Sequence, residues 1–365
     1  MGAHPLSLGT GDTIGDYQII DVLGLGGMGK VFKVRNVISD RVEAMKVLLP
    51  NAGETQELAD RFIREIKVVA SLEHPNIALL RTALRVNNQL LMIMEYVEGS
   101  SLDAKLRAGT LEMRQAVGYM CQVLSALSYA HQHGVIHRDV KPSNILINAQ
   151  DKAKLTDFGI ASKAGDPRLT ATGMALGSLY YMSPEQIRAV PLDARSDLYS
   201  VGVTLYEMVT GRRPIQGDSF YAIMKGHLEY RPPAPIQLSP HVPPELSRII
   251  EKSLEKAPEQ RFQTAEEFRG ALMGIGSPGE SGHVAVAPRK ADTGSAAGLT
   301  TTKSLDAAFL EKAKNDLAVF IGPMAKLIVN RAARSARSRK ELYEILAAEI
   351  PSPGDRQKFL ASRPL

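Results

Sequence analysis

Asp139, Lys141 and Asn144 lie within six positions of one another, in the run His137-Arg138-Asp139-Val140-Lys141-Pro142-Ser143-Asn144. A carboxylate can orient a hydroxyl and receive its proton, a cation can neutralise charge on a group in transfer, and an amide oxygen can ligate a hard divalent cation. Those are the groups that phosphoryl transfer to a hydroxyl needs. A chance charged turn supplies any one of them, but rarely all three in a row. Eighteen residues beyond Asp139 comes Asp157-Phe158-Gly159, preceded by the strand-like Ala153-Lys154-Leu155-Thr156. Alone, Asp-Phe-Gly is a turn signal. In this order and spacing it offers the main metal carboxylate.

Two further elements belong upstream. Gly24-Leu25-Gly26-Gly27-Met28-Gly29-Lys30-Val31 fits G-x-G-x-x-G-x-V. A dinucleotide-binding turn with these glycines opens a helix. Here they run into Val31-Phe32-Lys33-Val34, a β-rich stretch, so the loop joins two antiparallel strands as a flap whose glycines allow close approach to phosphates. Lys46 sits in an otherwise apolar strand. Glu65 sits on the apolar face of a helix marked by Phe62, Ile66 and Val69. A carboxylate on a buried face is costly unless a cation meets it. Lys46 and Glu65 are expected to pair, leaving the ammonium aimed at phosphate oxygens.

With these motifs in this order, the sequence resembles the eukaryotic-type protein kinases, and closely their bacterial serine/threonine branch, as GGMGKVF and YYMSPEQ also indicate. The likeness covers residues 17 to about 274 and continues through Ser183-Pro184-Glu185, where the family has A-P-E. It implies ATP as phosphoryl donor. Leu23, Gly24, Gly26, Gly27, Gly29, Val31, Ala44 and Lys46 would surround the nucleotide, with Met94 behind adenine and the backbone of Glu95 and Val97 at its edge. It also implies that Asn144 and Asp157 hold Mg²⁺, with Mn²⁺ as an alternative. Asp139, Lys141, Lys46 and Glu65 become the catalytic set, Asp197 a brace for the catalytic loop, and Arg261 the partner of Glu185. Lys141 and Gly177-Ser178 resemble the serine/threonine branch, with Ser178 keeping the hydroxyl contact to Asp139 and Lys141. Thr170 and Thr172, between D-F-G and S-P-E, are the expected activation-loop acceptors, with Arg138 receiving the phosphate. A scaffold of the same fold acting only by binding would have lost Lys46, Asp139, Asn144 or Asp157, and all four are present.

The elements that must hold these residues are legible as patterns. Strands are expected over 17–23, 30–37, 42–49 and 90–97, with one helix over 57–72 and helix-rich sequence from Leu102. That division implies an α+β fold of two lobes, a small antiparallel sheet with one helix and a larger helical lobe, with a cleft between them. Residues 1–16 form an extension, 17–274 the kinase-like domain, and 275–303 a Gly-, Ser-, Ala- and Pro-rich linker with too little apolar content to pack. Residues 304–365 read as three short helices forming a small all-α module of unknown role. The third is opened by the capping box Ser338-Arg339-Lys340-Glu341. Such a small core is expected to associate, with a second copy or another protein.

Composition is compatible with this. The chain has 365 residues, 44% hydrophobic and 23% charged, and its net charge of +5 is mild enough for a phosphate-handling cleft without a nucleic-acid partner. A single cysteine, Cys121, excludes an internal disulfide, and it sits in an apolar helical stretch as a small core residue. No apolar run is long enough to span a membrane. The N-terminus lacks a signal core, and Leu6 stands where a myristoylation pattern wants Ser or Thr, so a cytoplasmic location is expected.

Overall fold

Along Phe32–Val34, Met45–Val47 and Leu91–Ile93, alternate side chains are fully buried on one face, the period-2 signature of a half-covered sheet. Lys46 and Met92 fall between these positions and so point to the opposite face, toward the cleft. The computed structural model describes residues 8–26, 29–48, 63, 66–67, 69–86, 89–109, 111–158, 175–217, 219–275, 306–321, 325–336, 338–350 and 352–362. The small lobe holds β1 (Thr13–Ile14), β2 (Tyr17–Gly26), β3 (Gly29–Asn36), β4 (Val42–Leu48), β5 (Leu80–Val86) and β6 (Gln89–Glu95). They form one antiparallel sheet in the order β1-β2-β3-β4-β6-β5. Expected helix 57–72 falls mostly outside the described residues; Ile66, Lys67, Val69 and Ala70 are helical. β5 is a strand the sequence pattern did not reveal. It lies at the sheet edge with mostly exposed side chains, so it carries no apolar alternation.

The large lobe begins with β7 (Gly99–Ser101), α1 (Leu102–Ala108) and α2 (Met113–Gln132), then β8 (Ile145–Asn148) and β9 (Ala153–Leu155), which pair with β7 in a second small sheet. α3 (Ala175–Leu179) precedes the S-P-E segment, and α4 (Pro184–Arg188) begins within it with Ser183 as its cap. They are followed by α5 (Ala194–Thr210), α6 (Phe220–Glu229), α7 (Pro235–Leu238), α8 (Pro244–Ser253) and α9 (Ala265–Met273). Every side chain from Ser196 to Val209 is buried, so α5 is the post around which α2, α8 and α9 pack. Asp193 caps its N-terminus, and Gly211, at φ 70°, ends it in the left-handed conformation glycine adopts without steric cost.

Arg261 ties this lobe together. Its side chain is fully buried and donates to both oxygens of Glu185, at 2.6 and 2.9 Å, and to the carbonyls of Glu255, Arg195 and Lys256. Ser196 donates to the same Glu185 carboxylate at 2.9 Å. Burial would raise the Glu185 carboxyl, but the Arg261 bonds and charge outweigh it and hold it below its ordinary value.

Among the described residues the C-terminal module has four helices where three are expected: α10 (Ala307–Ile321), α11 (Ala325–Ser335), α12 (Arg339–Ala348) and α13 (Pro353–Ala361). Ser338 caps α12 by accepting from the Glu341 N–H at 3.1 Å, as the capping-box sequence predicts. α13 was hidden because Phe359 is its fully buried apolar anchor among mostly exposed residues, which leaves no periodicity to read. Phe359 stacks on Tyr343 with ring centroids 5.0 Å apart, and Leu317, Ile328, Leu342 and Leu346 complete the core.

Candidate active site

The catalytic loop is held in shape before any side chain reaches outward. Asp197, at the start of α5, accepts from the backbone N–H of His137 on Oδ2 and of Arg138 on Oδ1, each at 2.8 Å. His131, in the last turn of α2, bonds the same Oδ2 at 2.8 Å. Burial would raise the Asp197 carboxyl, yet the His131 bond and charge and the His137 backbone donor keep it below the ordinary range. These bonds help hold Arg138 at φ 67°, a left-handed conformation that costs a non-glycine residue free energy. On the other side of the loop, Gln186 Nε2 donates to the Arg138 carbonyl at 2.7 Å.

His137 is buried and its function is internal. Its Nδ1 accepts from the Asp139 N–H at 3.2 Å, which places the ring proton on Nε2, where it donates to the Thr156 carbonyl at 2.9 Å. Burial pushes its pKa down, consistent with a neutral ring, and Phe158 packs against it at 4.6 Å between centroids. Thr156 in turn donates its N–H to the Asn144 carbonyl at 2.9 Å. The chain segments carrying Asn144 and Asp157 are therefore joined at Asn144 itself and at the residue before Asp157.

The structure brings Asp139, Lys141 and Asn144 together, and Lys46 to Asp157. Lys141 Nζ lies 2.6 Å from Asp139 Oδ2 and 2.6 Å from Ser178 Oγ, bridging the catalytic loop to the segment before S-P-E. Asn144 Nδ2 donates to the Asp139 carbonyl at 2.8 Å and to its Oδ2 at 3.0 Å. With the amide nitrogen turned to Asp139, Oδ1 is the end of Asn144 suited to a cation. Lys46 Nζ lies 2.5 Å from Asp157 Oδ1. Burial would raise the Asp157 carboxyl, but the Lys46 charge and bond dominate and hold it ionised, below its ordinary value. Asp157 sits at φ 55°, again left-handed. The expected partner of Lys46, Glu65, lies outside the described residues, as do Gly27, Gly159, Thr170 and Thr172.

The residues expected to surround a nucleotide line the sheet side of the cleft. β2 and β3 pair as far as Gly26↔Gly29, forming the two-stranded flap expected of this glycine loop. Gly24 pairs with Val31, Val31 with Lys46, and Ala44 with Met94, so these residues share neighbouring rungs of one sheet. Leu23 is exposed at the flap and Val97 is buried at the strand exit. The Glu95 N–H is taken by the Leu79 carbonyl at 2.8 Å, so a contact from Glu95 to a bound base would have to come through its carbonyl. Lys154 Nζ holds the Glu95 side chain at 2.9 Å.

Among the described residues no cluster of three or more His, Cys, Asp or Glu could hold a metal by itself. The donor set still fits Mg²⁺, which binds through one or two protein oxygens and completes its shell with water and substrate phosphates. Asp157 and Asn144 offer that.

His131, Gln186 and Lys154 were not singled out from sequence. His131 and Lys154 are polar residues whose partners lie far along the chain, and no local spacing marks them. Gln186 is marked only as the last residue of the capping box Ser183-Pro184-Glu185-Gln186, which the structure forms and which says nothing of Arg138.

Asp197→Asn gives the brace a specific test. An amide has one acceptor oxygen, so its NH₂ would confront the N–H of His137 or Arg138. Expected is a loss of about 10²-fold in kcat with ATP affinity nearly unchanged, read by steady-state kinetics at varied ATP. Unchanged kcat would show that the brace does not position the loop.

A family model described as "Protein kinase domain" matches residues 17–270, and a second, "Domain of unknown function (DUF8082)", matches residues 308–362. The chain is 39% identical over 259 residues to the serine/threonine-protein kinase PrkC of Bacillus subtilis, covering 71% of this chain and 40% of that protein. It is 40% identical over 292 residues to the serine/threonine-protein kinase pkn3 of Myxococcus xanthus, covering 77% and 53%. The chain thus spans about half or less of the curated relatives it matches. The crystal structure of the Mycobacterium tuberculosis PknI kinase domain superposes with a TM-score of 0.59 at 28% identity, over 73% of this chain and 99% of that one. The match over 17–270 takes in the flap, Lys46, the Asp139 loop, Asp157 and the Glu185–Arg261 pair, and on that extent the chain belongs to the protein kinase family.

Proposed function

We propose that the protein is an active serine/threonine kinase that transfers the γ-phosphoryl group of ATP to protein hydroxyls. The observation that carries this reading is Lys141 bridging Asp139 Oδ2 and Ser178 Oγ, each at 2.6 Å. It brings the proton acceptor, the cation and the acceptor-side segment to one point. Among the described residues no donor occupies Asp139 Oδ1, and that oxygen is suited to take the proton of an incoming Ser or Thr hydroxyl as its oxygen attacks the γ-phosphorus. Lys141 neutralises charge on the moving phosphoryl group, and Lys46 does so for the donor phosphates. Asp157 and Asn144 would hold Mg²⁺, or Mn²⁺ in its place, which supplies charge neutralisation across the phosphates. Leu23, Gly24, Gly26, Gly27, Gly29, Val31, Ala44 and Met94 enclose the nucleotide, with Glu95 and Val97 at the adenine edge, and Glu65 is the proposed second partner of Lys46.

We assign the kinase domain to 17–274, the linker to 275–303 and the helical module to 304–365, a division supported by the two matched family models. No described helix is long and apolar enough to cross a membrane. A cytoplasmic site of action on protein substrates, without nucleic acid, is part of the proposal. Incubating purified protein with labelled ATP, Mg²⁺ and a generic protein acceptor tests the reading. Label on serine or threonine supports it, whereas nucleotide binding without transfer would favour a scaffold that acts by binding.

Autophosphorylation on the activation loop is part of the same reading. A phosphate at Thr170 or Thr172 adds nearly two negative charges that Arg138 can pair with, ordering the loop. Thr170→Ala/Thr172→Ala protein is expected to lose about tenfold or more of its acceptor kcat/KM, with one or both threonines phosphorylated in the wild type by mass spectrometry. Full activity in the double variant would remove the switch.

A further inference from the structure

Glu349 stands at the wrong end of its own helix. It is the C-terminal cap residue of α12, where the helix dipole presents partial negative charge, and no basic residue in that helix's last turn offsets it. Its side chain instead reaches into the kinase lobe, where Oε2 accepts from the backbone N–H of Tyr221 at 3.2 Å. That N–H belongs to the first turn of α6, one of the donors a helix leaves without an internal partner. Ser219 caps the same turn by accepting from Ala222 at 3.1 Å, and no acidic residue of α6 itself lies there. The carboxylate is thus misplaced for α12 and well placed for α6. A second contact accompanies it. The Tyr221 side chain, half-buried, packs against the core of the C-terminal module.

The position of α6 gives this contact a consequence. α6 packs on α3 and α4. Phe220, next to Tyr221, shares a core with Leu179 and Ile187, and Leu179 follows Ser178, the residue Lys141 holds.

We propose that the C-terminal module is the kinase lobe's own docking partner. It seats on the first turn of α6 through Glu349 and Tyr221, and by holding α6 it steadies the segment that carries Ser178. The docking surface fits a named segment of this same chain, and the contact does not depend on the chain's being catalytically active.

Hydrogen–deuterium exchange on the full-length protein tests it. Glu349→Ala should speed exchange in 219–224 by about threefold to tenfold, the size of a lost helix cap, with a smaller rise in 175–182. Glu349→Gln keeps an acceptor and should fall between. Tyr221→Ala leaves both the Tyr221-position N–H and the carboxylate, and should speed exchange in 345–350 from the other side. Glu344→Ala, on an exposed position of α12, should change neither. If both Glu349→Ala and Tyr221→Ala leave the opposite face unchanged, the docking is overturned. If 219–224 responds while 175–182 does not, the coupling to the Ser178 segment is overturned. Protection that disappears on tenfold dilution would assign Glu349 to a second copy and overturn docking within one chain. A kinase-dead preparation that shows the same exchange changes would leave the docking standing even if the catalytic reading failed.

Discussion

Full-length protein carrying Asp139→Asn should bind ATP with close to wild-type affinity and transfer phosphate about 10²- to 10⁴-fold more slowly. The carboxylate accepts from Lys141 and Asn144, and an amide oxygen can still receive one of those bonds, so the loop should keep its shape. What the amide lacks is a basic oxygen for the hydroxyl proton and a full charge to orient it. The loss therefore belongs in kcat rather than in the affinity for nucleotide. Single-turnover measurement with labelled ATP, alongside a nucleotide-binding titration, separates the two. Near-normal turnover would sink the assignment of Asp139, and lost ATP binding would place the residue in nucleotide binding.

The second large effect is on stability. Arg261→Ala should cost about 3–5 kcal/mol in urea unfolding, because it strands the buried Glu185 carboxylate and three backbone carbonyls. Glu185→Leu combined with Arg261→Met should cost less than Arg261→Ala alone, since it removes both charges and keeps apolar volume. A double variant as unstable as the sum of its singles would show that the pair is not one unit. The pH dependence has a defined sign. The Glu185 carboxyl titrates below its unfolded value, so its stabilisation is complete above the ordinary glutamate range and is lost as pH falls through the lower folded value.

Much of the site was legible because its chemistry is local. Asp139, Lys141 and Asn144 sit within six residues, and the structure joins all three by hydrogen bonds. The β-rich run after the glycines separated a flap from a dinucleotide-binding turn, and β2 pairing with β3 agrees. Lys46 shows where sequence reasoning stops. The pattern paired it with Glu65, a carboxylate on a helix face that needed a cation and that lies outside the described residues. Among the described residues the structure supplies Asp157, from the other lobe and 111 positions away. His131 could not be found at all. It lies in the last turn of α2, and nothing in its spacing says that Asp197 waits behind it. The edge strand β5 and the helix α13 were missed for one reason. Each buries so little of itself that apolar periodicity, the signal being read, is nearly absent.

The Lys46–Asp157 pair has a consequence for how the cleft can be entered. Each member neutralises the other from a different lobe, 2.5 Å apart, with the lysine side chain almost wholly shielded from water. A bare polyphosphate that claimed the lysine would leave the aspartate without its counter-charge. A bare divalent ion that claimed the aspartate would take from the ammonium the carboxylate 2.5 Å away, leaving only the proposed Glu65 contact. The pair separates without a stranded charge when both exchanges happen together, anion to lysine and cation to aspartate. Under the proposed function the cleft would act as a coincidence detector for a metal–nucleotide complex, with each half of that complex alone a poor visitor.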